Sequence, residues 1–523
     1  MGIKNYKASR DNTITNGYKL ISQTRATGSN MGAADILEVY SIYGQQTTSS
    51  AELSRVLVQF PITTVSSDRT AGTIPASGSV NFFLRMFNAR HSEQLPRDFT
   101  VNVLAVSQSW QEGYGLDMDG YSDLTDDKIE GSNWMNRNSN PAASWAQVGG
   151  DYHSSSYIPA DTMPNYTFTF SDGDEDLLVD VTAAVEEWIA GTQTNNGFGI
   201  FLTSSQEAYV DNITAADSVG ATGESILLNT EGQKKSFYTK RFFSRTSEFF
   251  FKRPTLEARW DSRIMDDRGN FYYSSSLAPA EDNLNTIYLY NYVRGRLKNI
   301  PNVDTGLILV SIYSGSSSNI EPSGSKLELS AGGGVVAAAD LNVTGGYVST
   351  GVYSASFAFT GSTSLKTIYD VWHSSSVEYV TSSINPNSLD SPGWNQYPQF
   401  TTKITNLKPS YSEDEIARFR VFVRERNSTP TIYAIANSQA QGATIPSASF
   451  EVFRNVDNET IINNSTGSST RHTFLSYDNS GSYFDLNMSL LEPGYMYGIR
   501  LMFYSSDGWR EQEETFNFRV ENS

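Results

Sequence analysis

Short runs of alternating apolar and polar residues, separated by turn-forming clusters, dominate the chain. The segment AELSRVLVQFPI carries Leu53, Val56, Val58 and Phe60 in a β-rich run that stops at Pro61, and a Ser/Asp/Gly-rich turn region is expected to follow. In VNFFLRMFNA the alternation puts Phe82, Leu84 and Met86 on one face and Phe83, Arg85 and Phe87 on the other, which predicts a strand covered on both sides. FTVNVLAVSQSW sets Val101, Val103 and Ala105 against Asn102, Leu104 and Val106 before ending at Trp110. Strands at this spacing predict a β-sandwich. One segment breaks the pattern: in DVTAAVEEWIAG, residues Val181, Val185, Trp188 and Ile189 recur at helical spacing, with Asp180 or Thr182 as cap and Gly191 as stop.

The alternation resumes in TIYLYNYVRGRL, LILVSIY, KLELSAGG and YVSTGVYSASFAF, the last similar to a Tyr- and Gly-punctuated pattern of immunoglobulin-like modules. After NPNSLDSPGWNQYPQ, which reads as a linker, a further unit opens with ITNLKPSYSEDEIARFRVFVRER and closes with LLEPGYMYGIRLMFYSSDGWREQEETFNFRVE. We therefore expect an all-β protein with a large sandwich over 1–261 and two smaller immunoglobulin-like β domains over 262–402 and 403–523. No fixed period points to a solenoid or propeller.

Composition narrows the function classes. A chain of 523 residues is long enough for several domains with their own cores, so it needs no covalent staples. It holds no cysteine, which removes disulfides, thiolate nucleophiles and Cys-ligated zinc, and fits folding in a reducing cytoplasm. A net charge of −19 repels a phosphate backbone, so nucleic acid is not an expected partner. No apolar run approaches the roughly 18 residues a membrane span requires, no secretory leader is apparent, and Tyr6 spoils the myristoylation pattern that Met1-Gly2 begins.

Catalytic motifs are missing from the pattern: the four histidines, at 91, 153, 373 and 472, are scattered and read as surface or turn residues. The acidic stretch LDMDGYSDLTDDKIEG makes Asp117, Asp119 and Asp123 weak Ca²⁺ candidates, although Leu124 stands where an EF-hand register requires Gly. In SDGDEDLLVD the acids fit a turn and helix cap better than a cation cage. No cofactor is expected. Among Trp110, Trp134, Trp145 and Trp188, core packing is the plainer reading, and Trp134, flanked by Asn, Ser and Arg, is the one expected at the surface, where it would contact sugar. The basic, aromatic segment 234–253 supplies Lys240, Arg241 and Arg253 as contacts for an acidic partner, or as guards of an edge strand.

The order Asp11-Asn-Thr-Ile14, SRVLVQF, SWQEG, SNWMNR, SWAQVGGDY, DVTAAVEEWIAGTQTNNGFGIFL and FFSRTSEFFFKRPTLEARW resembles the DNRLRE, or disaggregatase-related, β-sandwich family over about half of the chain. Trp110, Glu112, Trp145, Gly149, Gly150, Asp151, Asp180, Trp188, Asn196, Gly197, Ser244, Arg245 and Pro254 carry the match. Thr246 and Ser247 separate Arg245 from Glu248, where the family pattern has the acid directly after Arg. The resemblance implies a jelly-roll module of the kind found in extracellular and polysaccharide-related proteins. The chain as a whole is similar to virion structural proteins of marine T4-like bacteriophages. These likenesses imply a non-enzymatic structural component of a virion, in its head, neck or tail, folded in the host cytoplasm and packed against other virion proteins and copies of itself. The alternative is an adhesin recognising host polysaccharide.

Overall fold

The computed structural model describes residues 2–522 apart from 23, 45–50, 91–95, 122–130, 155–162, 212–225, 315–323, 334–340, 361–364, 375–376, 388–398, 427–441, 468–469 and 506–507. Its chain is all-β and divides into two compact units, Gly2–Asp261 and Ser262–Ser523.

The first unit contains strands β1 (Ile3–Lys7), β2 (Arg10–Thr15), β3 (Ile36–Tyr43), β4 (Ala51–Gln59), β5 (Asn81–Met86), β6 (Phe99–Ala105), β7 (Asn136–Ser139), β8 (Ala142–Ser144), β9 (Tyr166–Phe170), β10 (Leu177–Asp180), β11 (Phe198–Leu202), β12 (Phe237–Phe243) and β13 (Thr255–Arg259). They form a four-stranded sheet, β1-β13-β5-β10, and a seven-stranded sheet, β12-β3-β4-β11-β6-β9 with β2 also on β4. The sheets share one core: Phe82, Leu84, Met86 and Leu256 from the first meet Val56, Val58, Val101, Val103, Phe198 and Ile200 from the second. This is a jelly-roll-like sandwich. The outer face of β5 is half-buried under cations, with Arg259 over the Phe83 ring at 4.4 Å and Arg85 over Phe87 at 4.4 Å.

The helix expected at 180–191 is α2 (Thr182–Ala190). Asp180 accepts the Thr182 N–H at 3.0 Å, and Gly191 ends the helix at φ 74°, where a side chain would be strained. A second helix, α1 (Ile62–Thr70), stands where a turn region was expected. Its residues are poor helix formers, but Pro61 suits a helix start, Ile62 and Val65 are buried, and Arg69 makes paired hydrogen bonds of 2.7 and 2.6 Å to Glu186 of α2. Tertiary packing overrides propensity there.

In the second unit, β14 (Asn285–Tyr290), β15 (Tyr292–Val293), β16 (Arg296–Leu297), β17 (Ile308–Tyr313), β18 (Leu329–Ser330), β19 (Val343–Ser349), β20 (Val352–Phe359), β21 (Ile368–Ser374) and β22 (Val377–Ile384) occupy its first half. All but the β15–β16 hairpin join one antiparallel sheet around Ile287, Val310, Phe357 and Trp372. Gly351, at φ 73°, makes the β19–β20 turn, and the buried Tyr353 hydroxyl accepts from Ile300 N–H at 3.0 Å and donates to the Asp304 carbonyl at 2.7 Å.

The second half holds β23 (Phe400–Ile404), β24 (Ser410–Ser412), β25 (Ile416–Glu425), β26 (Ala448–Arg454), β27 (Glu459–Ile462), β28 (Ser476–Asp478), β29 (Gly481–Asn487), β30 (Met496–Ser505), β31 (Gly508–Glu511) and β32 (Phe516–Glu521). Its sheets, β23-β25-β29-β28 and β24-β32-β30-β26-β27, meet through aromatic rings, Phe450 stacked on Phe484 at 4.1 Å and Phe419 beside Phe518 at 5.8 Å. This is a β-sandwich. The segment before β14 crosses to this half: Asp267 accepts the Tyr477 hydroxyl at 2.6 Å and the Thr286 N–H at 2.6 Å.

Candidate interaction surface

The tryptophans of the first unit are structural. Residues facing out from the seven-stranded sheet, Ile14, Leu53, Leu57, Leu104 and Phe201, are covered by Trp110, Trp134, Trp145 and Tyr152 from the segment after β6, forming a second core. Trp134 has no solvent-exposed surface, which corrects the expectation that it stands at the surface. Its polar neighbours serve the loop: Asn133 accepts the Met135 and Asn136 N–H groups, and the Ser132 carbonyl accepts from Asn12 and Asn30.

Under this layer Arg55 lies over the rings of Phe201 (4.5 Å), Trp134 (5.5 Å) and Tyr152 (5.7 Å), donates to the Gly149 carbonyl at 3.1 Å and pairs with Glu207 at 3.2 Å. Burial pushes the Glu207 carboxyl up while Arg55 pulls it down, and burial prevails. Gly149, at φ 84°, and Gly199 let the backbone lie against Trp134 and Tyr152. Asp151 accepts the Ala146 and Gln147 N–H groups, both at 2.8 Å.

The sequence motif residues also converge at the start of β2. Arg245 pairs with Glu112 through two 2.9 Å hydrogen bonds, and its N–H donates to Asp11 at 2.5 Å. Glu112 is thus the acid that answers Arg245, while Glu248 is exposed. Asp11 is 1% exposed, and one of its carboxylate oxygens has no hydrogen-bond partner among the described residues. Burial foremost, helped by the neighbouring Glu112 charge, raises its carboxyl to about 7.

The remaining sequence candidates do not come together. Asp117 closes its own turn, accepting Gly120 and Tyr121 N–H groups at 3.0 and 3.2 Å, and Asp119 accepts from Ile21 N–H at 3.5 Å. Asp123 lies outside the described residues, as does His91. Among the described residues no three His, Asp or Glu side chains are grouped to hold a metal. His472 sits in a turn, as expected, but is buried there, and His373 shares a 2.8 Å hydrogen bond with Ser311.

Lys240 is 1% exposed, a second correction, because strand alternation on β12 turns it inward. Its neighbour Arg241 faces outward and pairs with Glu38 of β3 at 2.5 Å, so β12 is a charged edge strand. Arg253 is half-buried, donating to the Ser247 carbonyl at 2.8 Å.

A feature that residue-by-residue reading missed lies between them. Phe249 and Phe250 are 48% and 50% exposed at a 3₁₀ turn. Lys7 and Arg253 approach the Phe250 ring at 5.5 and 5.3 Å, Lys252 approaches Phe243 at 5.6 Å, and Phe249 meets Phe243 edge-on at 5.5 Å. Burial lowers the Lys7 ammonium to about 8. The turn presents two phenyl rings with a cationic rim, on a chain whose net charge is −19. The FFFKR run was the signal available, but it reads as strand until the 3₁₀ turn is seen.

No protein-family model matches the chain, and no curated protein matches it. Among solved structures, the titin A168–A169 substructure is similar over 50% of this chain and 95% of its own, at 6% identity and a TM-score of 0.14. The N-terminal Ig1–2 module of the Drosophila receptor protein tyrosine phosphatase DLAR matches over 46% of this chain and 90% of its own, at 8% identity and a TM-score of 0.14. The FN1–FN3 domains of chicken CNTN1 match over 54% and 80%, at 12% identity and a TM-score of 0.15.

Proposed function

We propose that this chain is a non-enzymatic structural component of a bacteriophage virion, a surface or decoration protein of head, neck or tail that works by packing against other virion proteins and copies of itself. The observation that carries the reading is the exposed Phe249–Phe250 pair rimmed by Lys7, Lys252 and Arg253. Aromatic anchors with a charged rim are the usual make-up of an interface hot spot, and a cationic patch on an acidic protein gives a neighbouring copy a complementary surface. The likeness of the chain to marine T4-like virion proteins supplies the kind of assembly. The polysaccharide-adhesin alternative loses its anchor, because the Trp134 ring it relied on is packed inside.

Mass spectrometry and cryo-EM of purified particles test the proposal. The chain is expected at a fixed, symmetric copy number, with the 249–253 turn against a neighbouring subunit. Absence from the particle refutes the reading.

A further inference from the structure

Lys240 is held in a way that invites chemistry as well as packing. Its Nζ lies 2.8 Å from Asn88 Oδ1, and it also donates to the Gly173 and Glu175 carbonyls at 2.9 and 2.6 Å. The Phe170 ring, 4.4 Å away, and the Phe242 ring, 5.5 Å away, wall the site. Asn88 is fixed from both sides: its N–H donates to Asp176 at 2.8 Å, and it bridges to Phe242 of β12. Because Asn88 follows β5 and Lys240 sits on β12, the contact joins the two sheets of the sandwich at an edge.

We propose that Lys240 and Asn88 form an intramolecular isopeptide bond that staples the two sheets of the first unit. An amine and a carboxamide carbon need to approach within about 3–3.5 Å in a water-poor setting; with Nζ 2.8 Å from Oδ1 and a C=O bond of about 1.2 Å, Nζ lies no more than about 4 Å from Cγ and must close by about 0.5–1 Å as it swings off the oxygen. Burial, the largest influence on the group, lowers the ammonium to about 8, so a substantial neutral fraction exists under mildly alkaline conditions. Asp176 acts on Lys240 through its charge, which favours the ammonium, and accepts the backbone N–H of Asn88; in the proposed step this neighbouring carboxylate is assigned the proton transfer.

The step balances without an oxidant or co-reactant. Asp176 takes a proton from the ammonium, and the freed lone pair attacks Asn88 Cγ to form the new C–N bond. The proton returns to the departing Nδ2 as the old C–N bond breaks. The attacking nitrogen then loses its surplus proton to the ammonia released, so an ammonium ion and a carboxamide become a secondary amide and a free ammonium ion. The Asp176 side chain is 36% exposed, which gives the product a way out. In a chain with no cysteine such a bond would take the place of a disulfide.

Intact-mass and peptide mass spectrometry of the full chain, incubated folded at about pH 9, test this directly. The expected result is a mass lower than the sequence mass by one ammonia, with a branched peptide joining residues 88 and 240. The full sequence mass after prolonged incubation, or an ammonia loss without the branched peptide, overturns the proposal. The Asp176→Asn variant keeps an acceptor for the Asn88 N–H and is expected to form the link at least tenfold more slowly. A wild-type rate in that variant removes Asp176 from the scheme.

Discussion

Replacing Trp134 with alanine tests whether the loop layer over the seven-stranded sheet is a true second core. The ring has no exposed surface and packs with Trp110, Trp145, Leu57 and Phe201 while lying over Arg55. A buried indole removes roughly 200 Å² from water, and at about 25 cal/mol per Å² that is ~5 kcal/mol as an upper bound. Losing the ring above Arg55 adds about 1 kcal/mol, and partial collapse of the cavity subtracts a similar amount. We expect Trp134→Ala to destabilise the first unit by up to about 5 kcal/mol, a large fraction of a typical domain's stability. Trp134→Phe should cost less than half of that. Whole-chain fluorescence mixes tryptophans of both units, so the assay is urea-dependent hydrogen exchange of peptides within Gly2–Asp261. A loss below about 1 kcal/mol would refute the reasoning, because a surface ring carries about that much.

Four further outcomes follow from the geometry. Asp11, ordinarily near 3.8, is raised to about 7, so its protonated form stabilises the fold fully below about pH 4 and this contribution fades as pH rises through 7; Asp11→Asn should therefore gain on the wild type between pH 5 and 8 in urea titrations, and parallel curves would contradict the burial argument. Gly197, at φ 84° with a Cβ position 2.1 Å from the Val58 carbonyl, should lose more than about 1 kcal/mol on Gly197→Ala by the same exchange assay. Arg268 pairs at 2.6 Å with the fully buried Asp370, so Arg268→Met should cost the second unit about 3–5 kcal/mol in thermal or chemical unfolding. Paired serines at Phe249 and Phe250 should leave both units' melting unchanged while abolishing incorporation into particles, since both rings are half-exposed.

What was legible in the sequence was whatever depends on local period. Alternation found β4, β5 and β6, and the spacing of Val181, Val185 and Trp188 with Gly191 found α2. Helix α1 was hidden because its only buried apolar pair, Ile62 and Val65, sits among β-branched and Ser residues and draws its support from Glu186 on another helix. The inward turn of Lys240 was hidden for a similar reason. Its partners Asn88, Gly173 and Glu175 are remote in sequence, and two of them lie in the acidic stretch SDGDEDLLVD that reads on its own as a turn and helix cap. In both places a charged side chain answers a distant group, and no window of neighbouring residues contains both halves.

The tryptophans show why residue type alone misplaced the candidate contact. A sugar platform and a loop core draw on the same side chain, a broad apolar face with one polar N–H, and they differ in where that N–H is used. Here Trp110 Nε1 donates to the Asn196 carbonyl at 2.7 Å and Trp145 Nε1 to the Asn133 carbonyl at 2.9 Å. Each indole therefore covers the sheet while satisfying a backbone acceptor that an irregular loop would otherwise leave buried and unpaired. Polar neighbours belong to that arrangement, since the loop needs Asn, Ser and Asp side chains to complete its own hydrogen bonds, as Asn133 and Asp151 do. Phe249 and Phe250 have no polar atom to spend in this way, yet they stay half-exposed beside cations. In the proposed assembly a neighbouring subunit would cover them and supply the apolar surface the fold itself does not, so the proposed contact rests on the phenyl turn rather than on Trp134.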